Sequence, residues 1–185
     1  MRRVGDEAWI EDKYDGIRAQ LHLDARGTPQ LFSRDLNDVT RSFPEIADAA
    51  AAIATDAPLV IDGELVPWRE GSVLDFASLQ TRLGRVRPSK DLLEQVPVVF
   101  VAFDLLHHAG RDLLEAPLRE RRSALEAMSV AERIGERILL SHLASARSVG
   151  ADVVELDDGP LTLDLDTPDD LLLVEELAPE AVGAR

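Results

Sequence analysis

From Val96 to Leu106 the chain reads Val-Pro-Val-Val-Phe-Val-Ala-Phe-Asp-Leu-Leu. A run this rich in β-branched and aromatic residues, with a single charge, is the signature of a strand covered on both faces. Such a strand needs paired neighbours and packed layers above and below it, so the fold must be built around a sheet. The neighbours are legible upstream. Ile17, Ala19, Leu21 and Leu23 alternate with polar residues, the period of a half-buried strand. Asp24-Ala25-Arg26-Gly27 reads as a hairpin turn and Gln30-Leu31-Phe32-Ser33 as the return strand. Further strands are expected over Ala8 to Lys13, within Pro58 to Trp68, and over Arg137 to Ser141. Helices are expected over residues 43–54, over Phe76 to Leu83, and over Pro117 to Met128, where a proline opens the first turn. Meandering strands with interspersed helices make an α+β pattern and not a regular βαβ one.

The character of the chain changes near Gly150. Residues 151–185 hold 11 acidic residues and one basic residue, Arg185, and so carry most of the net charge of −15. A chain this acidic repels a phosphate backbone overall, so contact with DNA needs a local basic patch or a further domain. Within the tail, Leu161 to Leu165 reads as a strand. Thr167-Pro168-Asp169-Asp170 opens a helix, with an N-cap hydroxyl, a proline in the first turn and acids at the positive end of the dipole. No run of about 18 apolar residues is present, so no membrane span is expected. Charged Asp6, Glu7, Glu11, Asp12 and Lys13 stand where a signal peptide would be apolar. With no cysteine in the chain, disulfides and thiolate metal sites are excluded, and a cytoplasmic location is expected.

Lysine is scarce: Lys13 and Lys90 stand against 18 arginines. Lysine chemistry therefore has very few candidates, and Lys13 sits in the string Lys13-Tyr14-Asp15-Gly16. A lysine attacks a phosphoanhydride only as the neutral amine, which requires burial or nearby cations to lower its pKa. Placement at a strand end before a glycine turn holds the amine in one position, and Gly16 allows the backbone to approach a nucleotide closely. Taken by itself the string reads equally well as an exposed lysine on a strand end.

The string has company. Trp9-Ile10-Glu11-Asp12-Lys13-Tyr14-Asp15-Gly16-Ile17-Arg18-Ala19-Gln20 resembles the nucleotidyl-transfer motif of ATP-dependent DNA ligases. Leu31-Phe32-Ser33-Arg34-Asp35, with Asp38-Val39-Thr40 and Phe43-Pro44-Glu45, is similar to the next family segment, and Val60-Ile61-Asp62-Gly63-Glu64-Leu65-Val66 to the third. Phe76 to Arg85 follows, as in bacterial ligases. Phe100 to Leu106, then Gly110-Arg111-Asp112-Leu113 and Pro117 to Arg122, match a further segment. Order and spacing agree over residues 8–141.

The resemblance implies an α+β, ligase-type nucleotidyltransferase core, ATP-grasp-like, of antiparallel sheets with flanking helices. It implies that Lys13 attacks the α-phosphate of ATP, releasing pyrophosphate and leaving a lysyl-AMP phosphoramidate. It places Glu11 by the adenine and Phe103 stacked on it, with Arg18 and Arg34 on ribose, phosphate or the DNA nick. Glu64 would bind a ribose hydroxyl or help hold a metal ion, expected to be Mg²⁺. The cofactors implied are thus ATP and Mg²⁺, the partner is nicked duplex DNA, and the setting is DNA repair, recombination and replication. Plainer readings stand beside these. Phe103 fits a core position, Asp62 and Glu64 fit polar strand-end positions, and Arg18 and Arg34 fit a solvated surface. Arg119, Arg121 and Arg122 read as ion pairs on a helix without a catalytic role. His107 and His108 read as loop residues and not a metal pair. Asp152, Asp157 and Asp158 read as a solvated acidic face.

The family pattern continues past Ser141 with a Glu-Gly-hydrophobic-x-Lys segment, a Lys-x-Lys segment and an OB-fold domain. Here no lysine follows Lys90. The expectation is therefore a partial adenylation domain over 1–141, incomplete at its C-terminus, and a divergent acidic segment over 142–185. A second domain or protein would supply the OB-fold. Arg137 and Arg147 are nearby cations, but their spacing does not support them as replacements. Gly159 to Leu171 resembles the C-terminal end of small nucleotidyltransferases such as phospholactate guanylyltransferases. Two alternatives to a ligase thus stay open: a non-catalytic remnant or nucleotide-binding module, and a guanylyl-transfer enzyme read from the tail.

Overall fold

The computed structural model describes residues 9–11, 13–53, 57–131, 137–141 and 143–145. The strand and helix read within 161–171 lie outside them, as do Asp152, Asp157 and Asp158. Two compact units divide the chain, residues 12–142 and the segments 1–11 with 143–185. In the second unit, β1 (Trp9–Glu11) pairs antiparallel with β9 (Leu143–Ser145).

The larger unit is organised by the strand expected from the apolar run. β6 (Val98–His108) pairs antiparallel with β4 (Leu59–Arg69), which pairs with β2 (Ile17–Leu23), which in turn pairs with β3 (Pro29–Ser33). The alternation in β2 does what its period requires. Ala19, Leu21 and Leu23 turn to one face with Leu31 of β3 and Leu59, Ile61 and Leu65 of β4. Against that face pack Phe43, Ile46 and Ala50 in and before α1 (Pro44–Ala51), Leu79 of α2 (Phe76–Gln80), and Leu125 and Met128 of α4 (Leu118–Ala131). The opposite face carries a smaller apolar cluster, Val66, Val99 and Val101, joined by Tyr14, Trp68 and Leu139. β6 is thus buried on both sides, which is why its sequence shows no alternation.

The structure departs from the expected elements in three ways. The sheet is not wholly antiparallel: β8 (Ile138–Leu140) runs parallel to β6 on the edge away from β4. Parallel neighbours need a crossover connection, and α4 supplies it. A short helix, α3 (Lys90–Gln95), was not read from the sequence because it buries no residue and so has no periodic apolar face. Its one sign is Ser89, whose hydroxyl accepts the Leu92 N–H as an N-cap. Finally, His107 and His108 are the last residues of β6, paired with β7 (Arg111–Asp112), and not loop residues. The His107 ring lies 2.7 Å from the Asp112 carboxylate. Among the described residues no helix is long and apolar enough to cross a membrane.

One charged side chain is sealed into this core. Arg82, 0 % exposed, follows α2 and sends its guanidinium into the gap between α1 and the start of β6. It donates to both carboxylate oxygens of Glu45 (2.8 and 3.0 Å) and to the carbonyls of Ser42 and Val96 (2.8 Å each). Phe43 lies 5.2 Å from it, face-on. Removing one partner of a buried, hydrogen-bonded charge strands the other. Arg82→Met is therefore expected to lower unfolding free energy by roughly 3–5 kcal/mol in urea titration. A loss within about 0.5 kcal/mol, the range of an ordinary surface change, would contradict the role given to it.

Candidate active site

The face of the sheet opposite the main core carries the charged residues, and period-two geometry puts them there. In β4, Asp62 and Glu64 alternate with core-facing Ile61, Gly63 and Leu65. In β2, Arg18 and Gln20 alternate with Ala19 and Leu21. The register sets Arg18 opposite Glu64 and Gln20 opposite Asp62. Arg18 is bound bidentately by Asp62, with Nε to Oδ1 at 3.2 Å and Nη2 to Oδ2 at 2.8 Å. Its guanidinium carbon also lies 5.7 Å from the centre of the Phe103 ring.

Phe103 reaches this face through a break in the ladder. Gly63 pairs with Ala102, but Asp62 pairs with Asp104, so Phe103 is the extra residue of a β-bulge. It is half-buried and lies outside both apolar clusters, which removes the plain-core reading. Gly63 has its own reason to lack a side chain. A Cβ there would sit 2.4 Å from Phe100 Cζ and 2.6 Å from the Val101 carbonyl oxygen.

The segment bearing Lys13 lies down on the same face. Tyr14 packs on the Val66 cluster, and Gly16 lies close against Glu64 and Leu65, with its N–H favouring the charged Glu64 carboxylate. A Cβ on Gly16 would meet the Leu65 carbonyl oxygen at 2.4 Å and Glu64 Cγ at 2.8 Å. A close approach that demands glycine is therefore the one to β4. Lys13 itself is exposed.

Arg34 follows β3 and is exposed at the edge of a cleft of about 190 Å³, lined by Arg18, Gln20, Ser33, Arg34, Leu36 and Asp62. The structure thus gathers Arg18, Arg34, Glu64 and Phe103 on one face, with the Lys13 loop docked at Glu64. Lys13, Glu64 and Phe103 are not part of the cleft wall. Glu11 belongs to β1 of the other unit, and its side chain lies outside the described residues.

The sequence reading missed the roles of two carboxylates. Asp62, 5 % exposed, is the counter-ion of Arg18 and not a strand-end residue. Asp104 is gripped by Arg121 of α4, with N–O distances of 2.8 to 3.1 Å, so Arg121 pairs across elements and not along its helix. Arg122 does pair along the helix, with Glu126 at 3.0 Å. The signal for Asp62 was available in its two-residue spacing from Glu64. Nothing local marked Asp104.

Glu64 differs electrostatically from its neighbours. Burial pushes its pKa from 4.5 up to about 7, with Asp62 and Asp15 adding to the rise and Arg18 and the Gly16 N–H opposing it. No group of three or more His, Cys, Asp or Glu that would hold a metal occurs among the described residues.

A sheet of this topology with a few flanking helices is the core of the ligase-type nucleotidyltransferases. The chain belongs to the family described as ATP dependent DNA ligase domain, whose pattern it matches over residues 1–150. A probable DNA ligase of Opitutus terrae is 50 % identical over 121 residues, covering 65 % of this chain and 12 % of that protein. The ligase domain of LigD from M. tuberculosis superposes with a TM-score of 0.59 at 30 % identity, covering 76 % of this chain and 42 % of that one. A mycobacterial DNA ligase D complexed with ATP and MES gives 0.58 at 30 % identity, covering 76 % and 41 %. The chain therefore spans about an eighth of the first relative and less than half of either solved structure. These relatives favour neither the remnant nor the guanylyltransferase reading.

The raised pKa of Glu64 has a measurable sign. A carboxyl whose folded pKa exceeds its unfolded value stabilises the fold below the unfolded value, and that stability is lost as pH rises through the folded pKa. Between pH 4.5 and about 7 the native chain should lose stability that Glu64→Gln keeps. The melting-temperature difference between variant and native chain should grow in favour of the variant across that window. A difference flat in pH would refute the assignment.

Proposed function

We propose that this chain is the adenylation part of a DNA ligase, which takes AMP from ATP onto Lys13 for the sealing of nicked duplex DNA. The observation that carries the reading is the docking of the Lys13 loop, through Gly16, onto Glu64, beside Arg18 and the bulged Phe103. In the reaction the neutral Lys13 amine attacks the α-phosphorus. An N–P bond forms, the bond from that phosphorus to the bridging oxygen breaks, pyrophosphate leaves with that electron pair, and the ammonium proton passes to solvent. Arg34 offers a planar fork that matches phosphate oxygens, while Arg18, whose Nε and Nη2 are held by Asp62, offers its Nη1 edge. Phe103 offers an aromatic face to adenine.

Glu64 faces a ribose hydroxyl or Mg²⁺. The donor set suits Mg²⁺, which is commonly held by one or two carboxylates together with substrate phosphates and water. Asp62 has both oxygens committed to Arg18, which leaves Glu64 as the available carboxylate on this face. When bound, the ion neutralises phosphate charge. Residues 1–141 form the adenylation portion, and 142–185 a divergent acidic segment. A second domain or protein supplies the OB-fold and the phosphate-directed lysines. The setting is DNA repair, recombination and replication in the cytoplasm.

Incubation with Mg²⁺ and α-labelled ATP is expected to give an acid-labile, alkali-stable protein adduct that is lost in Lys13→Ala and is not formed from GTP. Absence of an adduct from the native chain rejects catalysis by this chain, and label retained by Lys13→Ala rejects the nucleophile. Phe103→Leu should weaken ATP binding about tenfold, the loss of one base-stacking platform, as read by calorimetry.

A further inference from the structure

Two adjacent arginines of α4 hold the chain on either side of Phe103 without entering the cleft. Arg121 clasps Asp104 through Nε and Nη2, and its Nη1 donates to the Ala116 carbonyl at 2.6 Å. That second anchor fixes the guanidinium against the turn leading into α4. The pair is largely shielded, the two side chains being 18 % and 15 % exposed. Buried Arg122 donates to the hydroxyl of Ser141 at 2.9 Å and also to its carbonyl. The Ser141 N–H donates to the Ala102 carbonyl at 2.8 Å.

Residues 102 and 104 are therefore both tied to α4, one through Ser141 and the other directly. Between them stands Phe103, which has no partner in β4. A bulged residue takes its direction from whatever holds its flanks, because the ladder is interrupted at that point. Gly63, beside the bulge in β4, has no side chain to guide the ring. Among the described residues, the only polar grip on the carboxylate after the bulge that spans elements is the guanidinium of Arg121. Its planar fork fixes orientation as well as distance, which a lysine ammonium does not.

We propose that Arg121, with Arg122 bracing the other flank, is a positioning residue: it holds the bulge so that the Phe103 ring stays on the face of Arg18, against its guanidinium. The inference rests on the reading of Phe103 as the adenine platform. Arg121 acts through Asp104 and touches no substrate, so its effect must pass through the ring.

A double-mutant cycle on the full chain tests this, with ATP binding measured by calorimetry for the native protein, Arg121→Lys, Phe103→Leu and the double variant. Arg121→Lys is expected to weaken ATP about tenfold when Phe103 is present and less than about twofold in the Phe103→Leu background, because coupled residues are non-additive. Asp104→Asn should show the same pattern. Equal losses in both backgrounds overturn the proposal. Hydrogen exchange without nucleotide gives an independent reading. Arg121→Lys should speed exchange of the Ala102 to Asp104 amides about tenfold while the rest of the β4–β6 ladder is unchanged. Uniform acceleration along β6, or none, also overturns it. If the native chain does not bind ATP, the proposed function fails, and the exchange pattern alone decides the role of Arg121.

Discussion

The ladder between β4 and β6 is the constraint on which the rest of the molecule depends. Both strands are buried over most of their length, so their backbone groups must pair within the sheet, and each gives one whole edge to the other. Gly63 lets the Phe100 ring lie against β4 where any side chain would collide. One residue further along, the register slips. On one side of the slip the odd-numbered residues of β4 and the even-numbered residues of β6 fill the core. Beyond it Leu105 does so, which frees both Phe103 and Asp104 for the opposite face. A single extra residue thus converts a strand that is apolar on both sides into one that presents an aromatic ring and a carboxylate where chemistry is expected.

That face collects three carboxylates within two strands, and they are balanced unequally. Asp62 and Asp104 each hold a guanidinium in a fork. Glu64 has no such fork among the described residues, and burial raises its pKa to about 7. The molecule carries a net charge of −15, so attraction of a nucleoside triphosphate cannot come from its overall field. Under the proposed function it comes from the local cations, Arg18 and Arg34 at the cleft and Lys13 on the adjoining loop. Arg18 has a double engagement, paired with Asp62 and lying over Phe103. This orients its fork at little entropic cost and leaves more than half of the side chain open to solvent.

Much of this was legible in the sequence, and the illegible parts share a cause. The alternation of Ile17 to Leu23 and the unbroken apolar run of β6 foretold two strands and their burial, because periodicity reports how many faces are covered. The segments around Lys13, Arg34, Glu64 and Phe103 were singled out by resemblance, and the register and the bulge explain why Arg18, Glu64 and Phe103 share a face. Periodicity does not report partners, and the pairings Arg18–Asp62 and Arg121–Asp104 close over 44 and 17 residues. The bulge carries no glycine or turn residue of its own, so nothing announced that Phe103 would leave the core pattern. Gly16 was read as a point of close approach, and one such approach is to β4. α3 escaped notice because an element that buries nothing leaves no hydrophobic rhythm.

Arg82 has a consequence for how the molecule breathes. Its four acceptors lie at Ser42 and Glu45, around the start of α1, and at Val96 before β6, so the side chain joins its own segment to two others. The segment from Phe76 to Val96 contains two short helices, one of which buries nothing, and by composition it would be a natural place for fraying. To fray there, the chain would have to pull a guanidinium out of its cage and abandon Glu45 at the same moment. Opening of that segment is thereby tied to opening of the whole domain, and a protease should find the Arg85–Arg87 loop cleavable at its tip without gaining a route inward.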